Sequence, residues 1–216
     1  MSSAPPSPLR AAPEMTSQGY SDRINHALAF AAKHHDQQVR RGTRLPYFTQ
    51  PANVAVILTR YGLDEATVVA GILHDVVADY VKEGYTRELL GQRIGEKFGA
   101  EVLEALLAVV ERRTNDAGAD LANSEQRDDL LARLPRAPER GHWVLAAVTL
   151  HGAATLLADL RRTLEASTVW NRFSGGRSGA LGWYRRIHEG LQAAGFTAPI
   201  VGELGQVIDE LEQVPE

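Results

Sequence analysis

Residues 68–80 read VVAGILHDVVADY and form the most informative stretch of the chain. The apolar residues point in almost every direction around a helix, which predicts a helix at the centre of the core. His74 and Asp75 interrupt this apolar run side by side. Burying a polar group without a partner costs about 2–7 kcal/mol. The pair must therefore be held either by a metal ion or by other polar side chains.

The rest of the chain also shows helical spacing of apolar residues and no convincing strand alternation. Ser21 or Asp22 is expected to cap a first helix that ends near residue 35. Pro51 suits the first turn of a second helix that ends at Gly62, and Asp64 can cap the helix that carries residues 68–80. Further helices are predicted at about 86–98, 100–112, 124–134, 141–165, 180–194 and 201–212. The predicted fold class is all-α, a helical bundle.

Length and composition favour one domain. The chain has 216 residues, of which 44% are hydrophobic, and this is enough for one sizeable core. Residues 1–19 are rich in Pro, Ser and Ala and are expected to form a disordered tail. The folded domain is therefore expected to span residues 20–216.

The charge and the absence of cysteine narrow the function classes. The net charge of −4 gives no electrostatic reason to expect nucleic-acid or membrane binding. No window approaches a membrane span of about 20 apolar residues, and the N-terminus lacks the apolar run of a secretory signal. The chain contains no cysteine, which fits a reducing, cytoplasmic location and leaves His, Asp, Glu or water as metal ligands.

Four segments carry a family resemblance through their order and spacing. They are AFAAKHHDQQVRRGTRLPYFTQPANVAVIL, VVAGILHDVVADY, EKFGAEVLEALLAVV and AAVTLHG. Together they resemble the HD hydrolase domain of the RelA/SpoT family over roughly residues 20–165. Members of that family remove the 3′-pyrophosphate from the alarmone (p)ppGpp, usually with Mn²⁺. The resemblance implies an HD-domain helical bundle of a small, stand-alone hydrolase type, because no synthetase segment follows.

The resemblance also implies a metal site that is only half present. The family holds its ion with a histidine of an HP dipeptide, the HD pair and the aspartate of an ADxLHN segment. His74 and Asp75 are the HD pair and the implied metal ligands. The HP histidine falls on Gln50, and the distant aspartate falls on Val148. Valine cannot bind a metal ion, and glutamine is a poor substitute for imidazole.

The implied catalytic carboxylates are also reduced. The acidic pair after the HD dipeptide falls on Ala78 and Asp79, so only Asp79 remains as an implied catalytic residue. The resemblance gives the family's water-orienting role to a glutamate, and that position is now alanine. The clustering of these losses at one site indicates a pseudoenzyme.

The nucleotide side of the implied site is better preserved. Arg40, Arg41 and Tyr47 match basic and aromatic positions that the family uses against its nucleotide. Guanidinium groups suit phosphate oxygens because they donate two parallel hydrogen bonds. A guanosine polyphosphate, or another nucleotide, is therefore the implied ligand. A basic rim around the pocket can be completed by Arg177, Tyr184, Arg185 and Arg186.

Three functions remain open at this point. The first is an impaired hydrolase homologue that retains a nucleotide pocket. The second is an active metal-dependent phosphohydrolase with a shifted ligand set that includes His74, Asp75 and His151, which lies one turn after Val148. The third is a helical partner-binding protein without a ligand. In that case His74 and Asp75 are a hydrogen-bonded core pair, and the arginines are solvated loop charges.

Overall fold

The structure is a computed structural model that describes residues 21–115 and 117–214. Its helices are α1 Asp22–His34, α2 Thr49–Arg60, α3 Glu65–Lys82, α4 Arg87–Leu90, α5 Glu96–Phe98, α6 Ala100–Val109, α7 Asn123–Arg133, α8 Glu139–Arg162, α9 Ala166–Trp170, α10 Gly176–Ala193 and α11 Pro199–Gln213. Within the described residues, β-pairing is limited to two isolated bridges that close loops. The all-α prediction is confirmed, whereas the predicted tail at residues 1–19 lies outside the described residues.

Helix α3 lies at the centre of the bundle, as residues 68–80 predict. It packs against α1, α2, α6 and α8. Its apolar side chains are fully buried on several faces, including Val69, Ile72, Leu73, Val76 and Val77. Asp64 caps the helix by accepting a hydrogen bond from the backbone N–H of Thr67 at 2.8 Å. Arg140 of α8 donates to the other Asp64 oxygen at 2.7 Å, so this cap also ties α8 to the start of α3.

Helix α8 is the second long core element. It packs against α2, α3, α6 and α11. By length and composition alone it is apolar enough to cross a membrane, so the expectation that no segment approaches such a span is wrong for this helix. However, 61% of its most apolar window is buried inside the bundle. Such burial is typical of the core helix of a helical protein, where the apolar residues face neighbouring helices.

The structure departs from the predicted helices in detail. Residues 87–98 are helical, as predicted for 86–98, but the winding changes from α to π at Gly91–Gly95, between α4 and α5. Glycine stands at both ends of this turn. Because glycine has a low α-helix propensity, a local change of winding there costs little free energy. In addition, α9 was not predicted, and α10 begins at Gly176, four residues before the predicted start at about residue 180.

A close approach of α2 to α3 positions the candidate site. A Cβ atom at Gly71 would overlap Leu58 Cδ1 and would lie 2.9 Å from Val54 Cγ1. The missing side chain at Gly71 therefore lets α2 pack directly against α3. Because α2 begins at Thr49, this contact brings its first turn, which contains Gln50, beside the middle of α3.

We expect Gly71→Ala to lower the free energy of unfolding by about 1–3 kcal/mol, because the added methyl group overpacks the fully buried contact with Leu58. Gly182→Ala is the matched control, since Gly182 lies in α10 with open space around its Cβ position. The control should gain up to about 1 kcal/mol from helix propensity. Urea unfolding measures both changes, and equal stabilisation of the two variants would contradict the close α2–α3 contact.

Candidate functional site

The Asp75 carboxylate is enclosed by three hydrogen-bond donors. The side-chain amide of Gln50 donates to Oδ2 at 2.7 Å, and the Tyr47 hydroxyl donates to the same oxygen at 3.3 Å. The Nδ1–H of His74 donates to Oδ1 at 3.0 Å. Both carboxylate oxygens are therefore engaged by side chains from the loop before α2, the first turn of α2 and α3 itself.

These contacts decide the charge state of the group. Burial alone would raise the pKa of Asp75, but the hydrogen bond and electrostatic attraction of His74, together with the hydrogen bond from Tyr47, hold it below its usual range. Burial and the negative charge of Asp75 raise the pKa of Tyr47. Asp75 is thus ionised, and Tyr47 keeps the proton that it donates.

The residues at this position do not fit the metal set that the resemblance implies. Gln50 occupies the place of the expected histidine and directs its N–H toward Asp75, so it offers no lone pair there. Val148 packs against the hydrophobic core and contributes only alkyl groups. Of the four implied ligands, only His74 and Asp75 remain, and they bond to each other. Metal binding by this pair stays a prediction.

A second group of ligand-type side chains lies beside this network. His34 at the end of α1 has its Nε2 atom 3.0 Å from Oδ2 of Asp79, which follows Asp75 by one turn of α3. His35 is adjacent, and one ligand atom from each of the three residues lies within 4.8 Å of the others. Asp79, the implied catalytic residue, is therefore paired with His34. Sequence reasoning noted the two histidines near the HD pair but did not place them with Asp79, although two consecutive histidines at a helix end and two carboxylates four residues apart were a usable signal.

The loop that carries Arg40 and Arg41, which the resemblance assigns to nucleotide binding, contributes to an arginine pair around one carboxylate. Arg40 and Arg172 each donate to the same oxygen of Asp159 at 3.0 Å. Gly42 has a φ of 75°, and a Cβ atom there would overlap the guanidinium of Arg172, so glycine admits this side chain to the loop. Arg41 is exposed on the same loop. Sequence reasoning missed Arg172 and Asp159.

His151 and Tyr184 line the same region. Burial and the nearby Arg40 charge lower the pKa of His151, although the charge of Asp75 opposes them. Nδ1 of His151 is buried and has no hydrogen-bond partner among the described residues. Burial raises the pKa of Tyr184 to about 12. Its hydroxyl would lie 3.3 Å from a Cβ atom at Gly152, so the absence of a side chain there leaves room for this ring.

The predicted basic rim is wrong in its arginines. Arg177 donates to the backbone carbonyl of Glu212, and Arg185 pairs with Asp209 and Glu212. Arg186 pairs with Asp128 of α7. These guanidinium groups join α10 to α11 and α7, because each finds a carboxylate or carbonyl on a neighbouring element. Only Tyr184 of the predicted rim lies near the site.

A family model described as HD domain matches residues 27–179, which is most of the chain. The chain belongs to the HD-domain family. Its HD dipeptide is His74–Asp75, and the matched residues run from α1 into α10 and so include the Asp75 network, His34, His35, Asp79 and the arginine pair with Asp159.

Curated relatives of this HD-domain protein act in guanosine polyphosphate metabolism, according to their names. It is 35% identical over 106 residues to a GTP pyrophosphokinase of Myxococcus xanthus, a match that covers 49% of the chain and 13% of the relative. It is 33% identical over 90 residues to a guanosine-3′,5′-bis(diphosphate) 3′-pyrophosphohydrolase of Aquifex aeolicus, with 42% and 12% covered. The matches thus span only about an eighth of these relatives' lengths.

Two solved structures share the fold of this HD-domain protein. A metazoan ortholog of SpoT, described as hydrolysing ppGpp, superposes with a TM-score of 0.67 at 21% identity and covers 91% of this chain and 98% of its own. The protein lmo0812 of Listeria monocytogenes superposes with a TM-score of 0.59 at 24% identity, with 74% and 96% covered. The predicted RelA/SpoT hydrolase-like HD fold is confirmed.

We expect Gln50→Met to lower the free energy of unfolding by about 1–3 kcal/mol, because the buried Asp75 carboxylate loses its shortest hydrogen bond while the side-chain volume is nearly kept. Gln192→Met on the exposed face of α10 is the control and should change stability by no more than about 0.5 kcal/mol. Denaturant unfolding at neutral pH compares the two. If both variants were as stable as the parent, the Gln50–Asp75 bond would contribute nothing.

Proposed function

We propose that this chain is a catalytically impaired RelA/SpoT-like hydrolase that binds a guanosine polyphosphate without efficiently removing its 3′-pyrophosphate. The observation that carries the proposal is the Asp75 carboxylate, both oxygens of which already accept hydrogen bonds from side chains. In a working site of this family, that carboxylate is a metal ligand. Here it accepts hydrogen bonds from Gln50, Tyr47 and His74 instead.

The energetics of this network oppose metal capture at the HD pair. An ion at Asp75 would have to compete with the amide of Gln50 and the ring of His74, which already donate hydrogen bonds to the two carboxylate oxygens. Neither Gln50 nor Val148 can then add a ligand to compensate. Even changes outside the direct ligands cost metal sites about 10–100-fold in affinity, so the loss of two ligands weakens binding far more.

The arginine cluster supports retention of a polyphosphate pocket. Arg40 and Arg172 converge on Asp159, which leaves one positive charge uncompensated before Arg41 is counted. Guanidinium groups fixed in this way suit phosphate oxygens. The names of the curated relatives, a GTP pyrophosphokinase and a guanosine-3′,5′-bis(diphosphate) pyrophosphohydrolase, supply the ligand class that we propose to test.

Catalytic impairment is tested by reversion. With guanosine tetraphosphate and Mn²⁺, the parent protein should release no pyrophosphate above a protein-free blank. Gln50→His with Val148→Asp should restore two ligand-type side chains, and Ala78→Glu should add a carboxylate able to orient water. The triple variant is expected to hydrolyse the substrate measurably, and Mn²⁺ should raise the melting temperature of the double variant far more than that of the parent.

His74→Gln in the double variant is the control, since it should remove the gain in melting temperature from Mn²⁺. Without metal, the double variant should be less stable than the parent, because Val148→Asp places an unpaired charge in a partly buried position. Multiple-turnover hydrolysis by the parent that disappears with His74→Gln would overturn the proposal. A folded double variant that gains no more from Mn²⁺ than the parent would disprove the assignment of positions 50 and 148.

Nucleotide binding is tested separately on variants of the arginine cluster. Arg40→Ala should weaken the binding of guanosine tetraphosphate, and raised salt should weaken it further through screening. Asp159→Asn should tighten binding, because it removes the carboxylate that competes for Arg40 and Arg172. Arg161→Ala is the control, since Arg161 is an exposed α8 residue paired with Glu210. Calorimetry that shows no binding to the parent, or the same affinity in all variants, would contradict the pocket.

A further inference from the structure

We propose that His34, His35 and Asp79 form a transition-metal site of the Zn²⁺ type, separate from the HD pair. The resemblance gives Asp79 a catalytic role and assigns no metal to the two histidines. The site also does not depend on whether the chain binds or hydrolyses a nucleotide, because it rests on three side chains outside the Asp75 network and the arginine cluster.

The spacing of the ligand atoms suits a tetrahedral ion. Ligand atoms about 2.0–2.1 Å from Zn²⁺ lie about 3.3 Å from each other in a tetrahedron. His34 Nε2 and Asp79 Oδ2 are already 3.0 Å apart. One ligand atom of His35 lies within 4.8 Å of a ligand atom of each of these two residues. Closing that distance needs a shift of no more than about 1.5 Å, which rotation of the side chains can provide.

The unsatisfied nitrogen of His35 is an independent sign of a missing ligand. His35 is only 1% exposed, and its Nε2 atom has no hydrogen-bond partner among the described residues. Its Nδ1 atom lies 2.8 Å from Oε1 of Gln38. An amide oxygen can only accept a hydrogen bond, so Nδ1 carries the proton and Nε2 presents a lone pair. A buried lone pair oriented by a hydrogen bond at the opposite nitrogen is the arrangement found at metal-binding histidines.

The surroundings hold both imidazoles in place. The ring of Tyr80 packs edge-on against His34, with the centroids 5.1 Å apart. The ring of Tyr47 lies 4.8 Å from that of His35. The Asp79 side chain is 34% exposed, so an ion can reach the site from solvent. Two imidazoles and one carboxylate leave a fourth position for water or an anion, as in three-ligand Zn²⁺ sites.

The experiment uses Zn²⁺ alone as the probe. The full chain is treated with a chelator and dialysed, and Zn²⁺ binding is then followed by calorimetry and by metal content after gel filtration. We expect one Zn²⁺ per chain. His34→Gln and Asp79→Asn should each weaken binding by about 10–100-fold or more, because each removes a direct ligand. His35→Gln should do the same, and melting temperatures without metal show which variants are folded.

Two histidine variants separate this site from the alternatives. His74→Gln should leave Zn²⁺ affinity within a few-fold of the parent, because His74 belongs to the Asp75 network. His26→Gln, an exposed position on α1, controls for the loss of any surface histidine. The proposal is overturned if the parent binds no Zn²⁺, or if His74→Gln abolishes binding while Asp79→Asn does not. Should His35→Gln fail to fold, the partly exposed His34 and Asp79 decide the outcome.

Discussion

One ionised carboxylate inside an apolar helix constrains the whole site. Helix α3 is buried on nearly all faces, so Asp75 can keep its charge only if donors reach it from outside the helix. Tyr47 and Gln50 meet this requirement, and His74 adds a third donor from α3 itself. The positions of Tyr47 and Gln50 in turn require α2 to lie tightly against α3, which the absence of a side chain at Gly71 allows. Packing and electrostatics are therefore two aspects of the same contact.

Under the proposed function, the same constraint explains how this family fold stays folded without a metal ion at the HD pair. Removing an ion from between buried ligands leaves an uncompensated charge, which is among the most destabilising changes in a protein interior. In this chain the amide of Gln50 supplies a donor at the position where the resemblance places a metal ligand. We therefore propose that the hydrogen-bond network replaces the neutralising role of an ion. It does not replace the Lewis acidity of the ion, which is the basis for the proposed loss of catalysis.

The sequence predicted the fold well where local signals decide structure. Asp64 is the N-cap of α3, as predicted. Two glycines with positive φ mark helix ends: Gly62 follows α2 with a φ of 71°, and Gly99 separates α5 from α6 with a φ of 99°. The π-helical turn at Gly91–Gly95 was missed, because apolar spacing does not distinguish the windings of short helical turns. The Asp159–Arg172 and His34–Asp79 contacts were also missed. They join side chains on different elements and depend on how α1, α3 and α8 are placed in the bundle.

The arginine cluster carries its own counterion. Asp159 belongs to the same chain as Arg40 and Arg172, so its carboxylate is present at a very high effective concentration and never diffuses away. A singly charged anion such as chloride or acetate gains little by exchanging with it. A ligand with several negative charges close together can either outcompete the carboxylate or share the two guanidinium groups with it. Because Asp159 competes in this way, an anion must carry a high enough charge density to bind the two arginines. Anions of lower charge density are not expected to bind there.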